Sequence, residues 1–330
     1  MLTLLGQLCD CDGPPGRESR VFDKLRTHLV DAGLIVSSAP MGGLVAGGKE
    51  GSSPRLLLAA FADEPGLMLS APFAEGIARA YRMGALPASA YSGRRIRTLR
   101  GDPGLVLPVE DGSAAEGPRW ELRVDLGSAA ALLPALEDSF AVLDESFSVD
   151  GTRLSGKALL ARPACVLLAH LVAEDMASIE GCMVGFVGQG QLGPYGLRLM
   201  LRALAPRAVI LVRGVRHAVQ ADAQGSAVRA GEGPVLVLRS GSTISHPALV
   251  EAIEVTARKA GMDLQRAVVS STNPPGPAPE AALSGFPILE LGYAVIDADR
   301  ARQSVEQQDL EALGRLLRAL PSEGRDAPIR

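Results

Sequence analysis

Leu56-Leu57-Leu58-Ala59-Ala60-Phe61-Ala62-Asp63-Glu64-Pro65-Gly66 is the stretch from which the rest of the chain is best read. Its opening residues are apolar without a break. That is the pattern of a strand buried on both faces of a sheet, not of one alternating between core and solvent. The run stops at an acidic pair, Asp63-Glu64, followed by Pro65-Gly66. Residues 55–61 are therefore predicted as a central strand with two carboxylates just past its end.

Strands and helices alternate over much of the chain. Residues 2–9 and 17–33 read as helices around the turn Asp12-Gly13-Pro14-Pro15-Gly16, with Val21, Leu25, Leu29 and Val30 at helical spacing and Gly33 as a C-cap. Residues 34–47 read as a strand. From about 71 to 147 the texture changes: short strands at 93–99, 104–108 and 119–125 alternate with Gly, Pro and Ser, which predicts a small β-rich insertion. Beyond it come a helix at 160–176, a strand at 182–187, a helix at 194–204, strands at 208–213 and 234–238, a helix at 246–261, strands at 265–270 and 287–293, and a helix at 306–319. The alternation predicts an α/β fold with a largely parallel or mixed sheet covered by helices. The tail from Pro321 is polar.

The composition sets bounds on function. The chain has 330 residues, 47% hydrophobic and 21% charged, enough for one large core, or one core plus a small second domain. Aromatics are only 4%, so the core must be mostly Ala, Leu and Val. A net charge of −4 argues against a nucleic-acid footprint. Cys9, Cys11, Cys165 and Cys182 form no C-x-x-C pair, and Cys9 and Cys11 have no histidine near them, so reduced thiols are expected rather than a metal site. The N-terminus lacks the basic region of a signal peptide, and no apolar run reaches the ~18 residues of a membrane span. A cytoplasmic protein that binds neither membrane nor nucleic acid is expected.

Several segments in order carry a resemblance. Leu56–Gly66 is similar to the strand-end motif A-H-M-D-E-x-G of the glutamyl/deblocking aminopeptidases, the tetrahedral, cellulase-M-like di-metal peptidase family. Leu8–Glu18 resembles that family's opening L-C-x-x-x-G-x-x-G-x-E. Val124-Asp125-Leu126-Gly127 resembles the D-I-G closing its inserted domain. Gly156-Lys157-Ala158-Leu159 resembles the G-K-A-x before its D-D-R, and Val305-Glu306-Gln307-Gln308-Asp309-Leu310 the V-E-x-x-D-L opening its last helix. The resemblance implies a three-layer αβα aminopeptidase-like domain with a mixed sheet from residues 1–70 and 148–330, and a small β-barrel-like inserted domain at 71–147. It also implies assembly. The family forms dimers that build hollow dodecamers, so a homo-oligomer, or a hetero-oligomer with an active relative, is expected.

Carried over residue by residue, the family's two-metal site is not reproduced. Its first histidine is Phe61, and a phenyl ring has no lone pair for zinc or cobalt. The D-D of D-D-R is Leu160-Ala161, although Arg162 remains. Q-E-E-x-G reads Gln189-Gly190-Gln191-Leu192-Gly193, so the general base is Gly190 and a ligand position is Gln191. The Asp ending the next strand is Arg213, and the G-G-T-D loop reads Ser270-Ser271-Thr272-Asn273. The R-Y-x-H-S histidine aligns with Arg302 or Ile296 according to the anchor, and the last histidine of the chain is His246. Asp63 and Glu64 survive. In the family this Asp orients the histidine rather than binding metal. Removing metals from a carboxylate-rich pocket leaves repelling, desolvated anions. Leu, Gly, Gln and Arg remove that repulsion, and Arg213 is expected in the former metal pocket, paired with Asp63.

The reading is a degenerate family member with no metal or other cofactor, a pseudo-peptidase acting as a structural, regulatory or assembly subunit. Three alternatives stay open. The emptied cleft is a binding module for a peptide, amino acid or anion through Asp63, Gln191 and Arg213. The chain is a metal-dependent aminopeptidase with a non-standard site. Or Gly188, Gly190 and Gly193, a literal G-x-G-x-x-G between a predicted strand and helix, hold a nucleotide. His217 follows Arg213 and Arg216 in a segment that suits either an anion or a solvated loop. His28 and His170 lie in helical patterns, and His246 stands at a helix start. The Pro-rich stretch Asn273–Pro279 reads as a stiff loop.

Overall fold

Strand β3 (Leu56–Phe61) lies deep in a nine-stranded sheet. The computed structural model describes residues 1–47, 53–108, 121–132, 139–174, 181–218, 227–241, 243–269 and 285–323. The other strands of the sheet are β1 (Val36–Ser38), β2 (Leu44–Ala46), β12 (Cys182–Val187), β13 (Ala208–Arg216), β14 (Val235–Ser240), β15 (Thr243–Ile244), β16 (Gln265–Val269) and β17 (Ile288–Val295). Their order is β1-β2-β12-β3-β13-β17-β14-β15, with β16 alongside β14. The centre is parallel: Val187 pairs with Phe61, Leu211 with Ala59, and Arg213 with Gly292. β14 runs antiparallel to β17, and β2 antiparallel to β12, so the sheet is mixed.

Alternate residues of β3 explain its unbroken apolar run. Leu58 and Ala60 face a large core shared with α1 (Leu2–Cys9), α2 (Ser19–Asp31), α4 (Arg162–Glu174), α6 (Pro247–Lys259) and the last helix, α7 (Gln307–Glu323). Leu57, Ala59 and Phe61 face the opposite layer, where α5 (Tyr195–Leu204) packs through Leu197, Met200 and Leu201. With both faces covered, no position on the strand is left for a polar residue. Gly185 on β12 lets α5 approach: a Cβ there would stand 2.5 Å from Met200 Sδ. The expected three-layer αβα architecture is present.

A closed barrel, in the order β4-β5-β8-β7-β6-β9, interrupts this domain. Its strands are β4 (Gly66–Ala74), β5 (Ile77–Met83), β6 (Arg95–Thr98), β7 (Pro103–Val106), β8 (Glu121–Asp125) and β9 (Phe140–Leu143), and a short helix, α3 (Ala88–Tyr91), follows β5. Leu67, Ala80, Tyr91, Ile96, Val106, Val124 and Ala141 give it a core of its own. β10 (Ser148–Asp150) and β11 (Arg153–Gly156) continue into a three-stranded sheet with β18 (Gln303–Glu306).

Three expectations need correction. The strand expected over 34–47 is a hairpin, β1 and β2, because Pro40 and the glycine pair Gly42-Gly43 place a 3-10 turn between its arms. The helix expected from residue 160 starts at Arg162, since Ala158 adopts a left-handed backbone (φ 62°) just before it. The last helix runs through Glu323, past the expected 319, because Pro321 does not stop it. The four cysteines are buried and free.

Candidate functional site

The residues singled out in the sequence converge at the ends of β3 and β12 and on the adjoining part of β13; Arg213, expected to end its strand, lies three residues before the end of β13 at Arg216. Asp63, just past β3, is fully buried and turns toward the loop between β12 and α5. Its Oδ1 accepts the Gly190 N–H at 2.9 Å and its Oδ2 the Gln191 N–H at 2.7 Å. Glu18 Oε1 accepts the N–H of Gln189 at 2.7 Å and that of Gly16 at 2.9 Å. The next two amides, Leu192 and Gly193, bond the Gln189 carbonyl. The glycine-rich loop is therefore already filled by the protein's own carboxylates and turn, and its amides are not free to cradle a phosphate. That removes the physical basis for the nucleotide reading of Gly188, Gly190 and Gly193.

Phe61 and Gly190 share one space. A Cβ at Gly190 would stand 2.1 Å from Phe61 Cδ1 and 2.5 Å from its Cγ. The phenyl ring, buried among Leu57, Val187 and Leu197, fills the room that any side chain at 190 needs.

Glu64 points the other way, into a buried ionic network that the sequence reading missed. It accepts the Gly13 N–H at 2.9 Å, lies 3.0 Å from Lys157 Nζ, and pairs with Arg162 at 2.9 Å. Lys157 also reaches Asp12 at 2.8 Å, and Asp12 bonds Arg97 of the barrel at 2.9 and 3.2 Å. Burial opposes the Asp12 charge, but the bonds from Arg97 and Lys157 outweigh it and hold its carboxyl below the usual range. Arg162 is fully buried and also donates to the carbonyls of Leu8, Cys9, Cys11 and Ala62, tying α1 to the end of β3. The available signal was Lys157 inside the apolar segment between β11 and α4, where a cation needs anionic company.

Leu160 and Ala161 are packing residues. Leu160 lends its carbonyl to the Gly214 N–H at 2.8 Å, and a Cβ at Gly214 would strike Leu160 Cα at 2.9 Å. Gln303 Oε1 accepts the amides of Leu159 and Leu160, and the Tyr293 hydroxyl donates to the Leu159 carbonyl at 2.9 Å. Of the two alignments for the last histidine, Arg302 is bound to the Ser146 carbonyl at 3.0 Å and Ile296 is bridged to Ser304. His217 Nδ1 accepts the Ala230 N–H at 3.1 Å. Asn273 and the Pro-rich stretch after it lie outside the described residues.

Arg213 does not pair with Asp63 as expected. Its partner is Glu290, with Nε 3.2 Å from Oε2. Register explains this. Leu211 lies across from Glu290, and Arg213 is the next residue on that face of β13, so its side chain meets Glu290 diagonally. Asp63, meanwhile, spends an oxygen on each of two loop amides. The Arg213–Glu290 contact has ion-pair distance but not hydrogen-bond geometry: Arg213 Nε and both Glu290 oxygens are buried without a hydrogen bond. The pair is thus electrostatic, and its hydrogen-bonding capacity is unused.

No group of three or more His, Cys, Asp or Glu among the described residues is placed to hold a metal ion. A phenyl ring, an amide and a guanidinium at this edge do not make a zinc or cobalt donor set, which requires several N, S or O donors.

Burial pushes the Asp63 carboxyl up to about 7, with the Gln191 and Gly190 amide bonds opposing and the nearby Glu18 charge adding to the rise. The ordinary value is 3.8, so the folded protein holds this proton more tightly than the unfolded chain. Asp63 therefore favours folding most below about pH 4, and that advantage is lost as pH rises through about 7. The total is about 4 kcal/mol. Asp12, held low, works in the opposite sense and only as pH falls through the acid range. Urea unfolding of wild type and Asp63→Asn from pH 4 to 8 checks this. The stability difference between them is expected to shrink steadily with pH, and a pH-independent difference would contradict it.

Comparison with known proteins agrees with this architecture. The M42 glutamyl aminopeptidase family model matches residues 42–316, and the chain belongs to that family. The TET aminopeptidase of the marine sediment archaeon Thaumarchaeota archaeon SCGC AB-539-E09 superposes with a TM-score of 0.87 at 19% identity, covering 99% of this chain and 97% of its own. The Pyrococcus horikoshii TET1 peptidase, which assembles into a tetrahedron or a large octahedral shell, gives 0.83 at 22% identity over 97% and 98%. A curated Acetivibrio thermocellus relative is 20% identical over 275 residues, 82% of this chain and 83% of its own length. Among the described residues no helix is long and apolar enough to cross a membrane.

Proposed function

We propose that this chain is a non-hydrolytic member of the aminopeptidase family, serving as a structural, regulatory or assembly subunit. The observation that carries the reading is the Phe61–Gly190 packing. The positions that resemble the family's first metal ligand and its general base are occupied by a ring and by the empty volume that ring requires. Hydrolysis by the family's route needs a metal-bound water and a carboxylate to deprotonate it. Leu160, Ala161, Gln191 and Arg213 supply neither at the remaining positions. What persists is the scaffold: the αβα domain, the barrel, and the ionic network joining them.

A scaffold of this kind acts through association. The shells formed by the Pyrococcus horikoshii peptidase support self-assembly as its role, and co-assembly with an active relative is part of the same proposal. Metal analysis of the purified protein, alongside aminopeptidase assays with added zinc and cobalt and light scattering for particle mass, tests both parts. The expected result is no stoichiometric metal, no peptide hydrolysis, and a mass several times that of one chain. Two tightly bound metals with activity would overturn the proposal.

A further inference from the structure

Two histidines outside the candidate site touch each other. His28 lies on α2 and His170 on α4, with ring centroids 5.0 Å apart and planes tilted by 65°. The Nε2 atom of each ring is buried without a hydrogen bond. A neutral imidazole bears an unbonded nitrogen at modest cost. An imidazolium carries a proton on both nitrogens, and each needs an acceptor. The surroundings offer a cation little. Glu174, one turn on from His170, lies 3.7 Å from its Nδ1, beyond hydrogen-bond reach, and its other oxygen is bound to Arg318 of α7 at 2.6 Å. The other charges facing His170 are positive: Arg318 itself and the N-terminal ammonium ahead of α1. Burial first, then that ammonium and His28, hold the His170 imidazole below its ordinary 6.5.

We infer that His28 and His170 form an acid-sensitive latch on α2, the helix that holds the glycine-rich loop at its other end. A proton on either ring sets a cation against the second ring and strands a buried N–H. The helices also share a core through Leu25 and Leu29 of α2 and Leu168 and Leu171 of α4, so acid loosens the seam without detaching α2. Glu18, at the start of α2, accepts the Gln189 N–H of the loop at 2.7 Å. It stands ~15 Å along the helix from His28, and a shift at the histidines is carried to it. The sign follows from linkage. The folded protein binds the His170 proton less readily than the unfolded chain does. Its contribution to stability is therefore complete above pH 6.5 and is lost as pH falls below that. Asp63 works in the opposite sense as pH rises through about 7, so a local measurement is needed to separate the two. The latch does not depend on whether the chain hydrolyses peptides.

Hydrogen exchange of the full chain tests it, read by mass spectrometry on peptides from α2 and from the 188–193 loop between pH 7 and pH 5. After correction for the intrinsic rate, exchange in both segments is expected to rise as pH falls, by up to about tenfold per pH unit, the limit for one displaced proton. The rise should be lost in His170→Gln and in His28→Gln, which keep a neutral polar side chain and remove the repulsion. If neither variant folds, nuclear magnetic resonance of the wild-type imidazoles gives a second measurement. The chain has four histidines, and His217→Asn and His246→Asn assign the other two signals by elimination. The pair is expected to take up its protons in two separate steps, with His170 below 6.5. Exchange in α2 that does not change with pH, an undiminished rise in both variants, or a single shared protonation step near 6.5 would overturn the inference. A response in α2 with an unchanged loop would overturn its link to the loop.

Discussion

Replacement of Lys157 by methionine is expected to destabilise the protein by about 3–5 kcal/mol, the range for removing one partner from a buried charge cluster. Lys157 is 3% exposed and touches both Asp12 and Glu64, at 2.8 and 3.0 Å. Without it the two carboxylates share a buried region with only Arg162 and the half-exposed Arg97 as counter-charges. The effect should reach beyond residue 157. Arg97 belongs to barrel strand β6 and Asp12 to the turn after α1, so the same cluster joins the barrel to the main domain. Urea unfolding provides the measurement, and Lys157→Met/Asp12→Asn, which restores charge balance, should recover part of the loss. A change below about 1 kcal/mol in the single variant would mean that the cluster carries little of the stability.

Gly190→Ala is expected to destabilise by about 1–3 kcal/mol, and Gly190→Glu by more. The new Cβ would lie 2.1 Å from Phe61, whose ring is held by the sheet beneath and by Leu197 of α5. The loop has little freedom to retreat, because its amides at 190 and 191 are tied to Asp63. Phe61→Ala opens the space at the loss of a buried ring, so Phe61→Ala and Gly190→Ala should couple. A double-mutant cycle is expected to show an interaction of about 1–3 kcal/mol, and additivity would contradict the shared-space argument. Carboxylate at 190 is incompatible with Phe61. For that reason Gly190→Glu alone is not expected to create peptidase activity.

The main layers were legible because burial imposes pattern. The short apolar run Leu57 to Phe61, closed by Pro65-Gly66, fits a strand covered on both faces, and the spacing of Val21, Leu25 and Leu29 fits a helix lying on a core. Barrel strand β5, Ile77–Met83, was not legible. Its Ala-rich alternation carries little strand preference, and it becomes a strand by pairing with β4 and β8 on either side. The hairpin at 36–46 was hidden for a similar reason, since the apolar residues around Pro40 continue the strand pattern while the backbone turns.

At the candidate site the division follows the kind of question asked. The residue identities alone determined the chemistry on offer around the end of β3, because lone pairs and charge belong to the side chain: Phe61, Gly190 and Arg213 have their chemistry wherever they are placed. Only the tertiary structure decided who meets whom. It gave Asp63 to two loop amides rather than to Arg213, gave Arg213 to Glu290 from a strand some 77 residues further on, and gathered Asp12, Glu64, Arg97, Lys157 and Arg162 into one buried network. Contacts between residues so far apart depend on strand register and layer packing. Both arise when the whole core forms, and a local stretch of sequence carries neither.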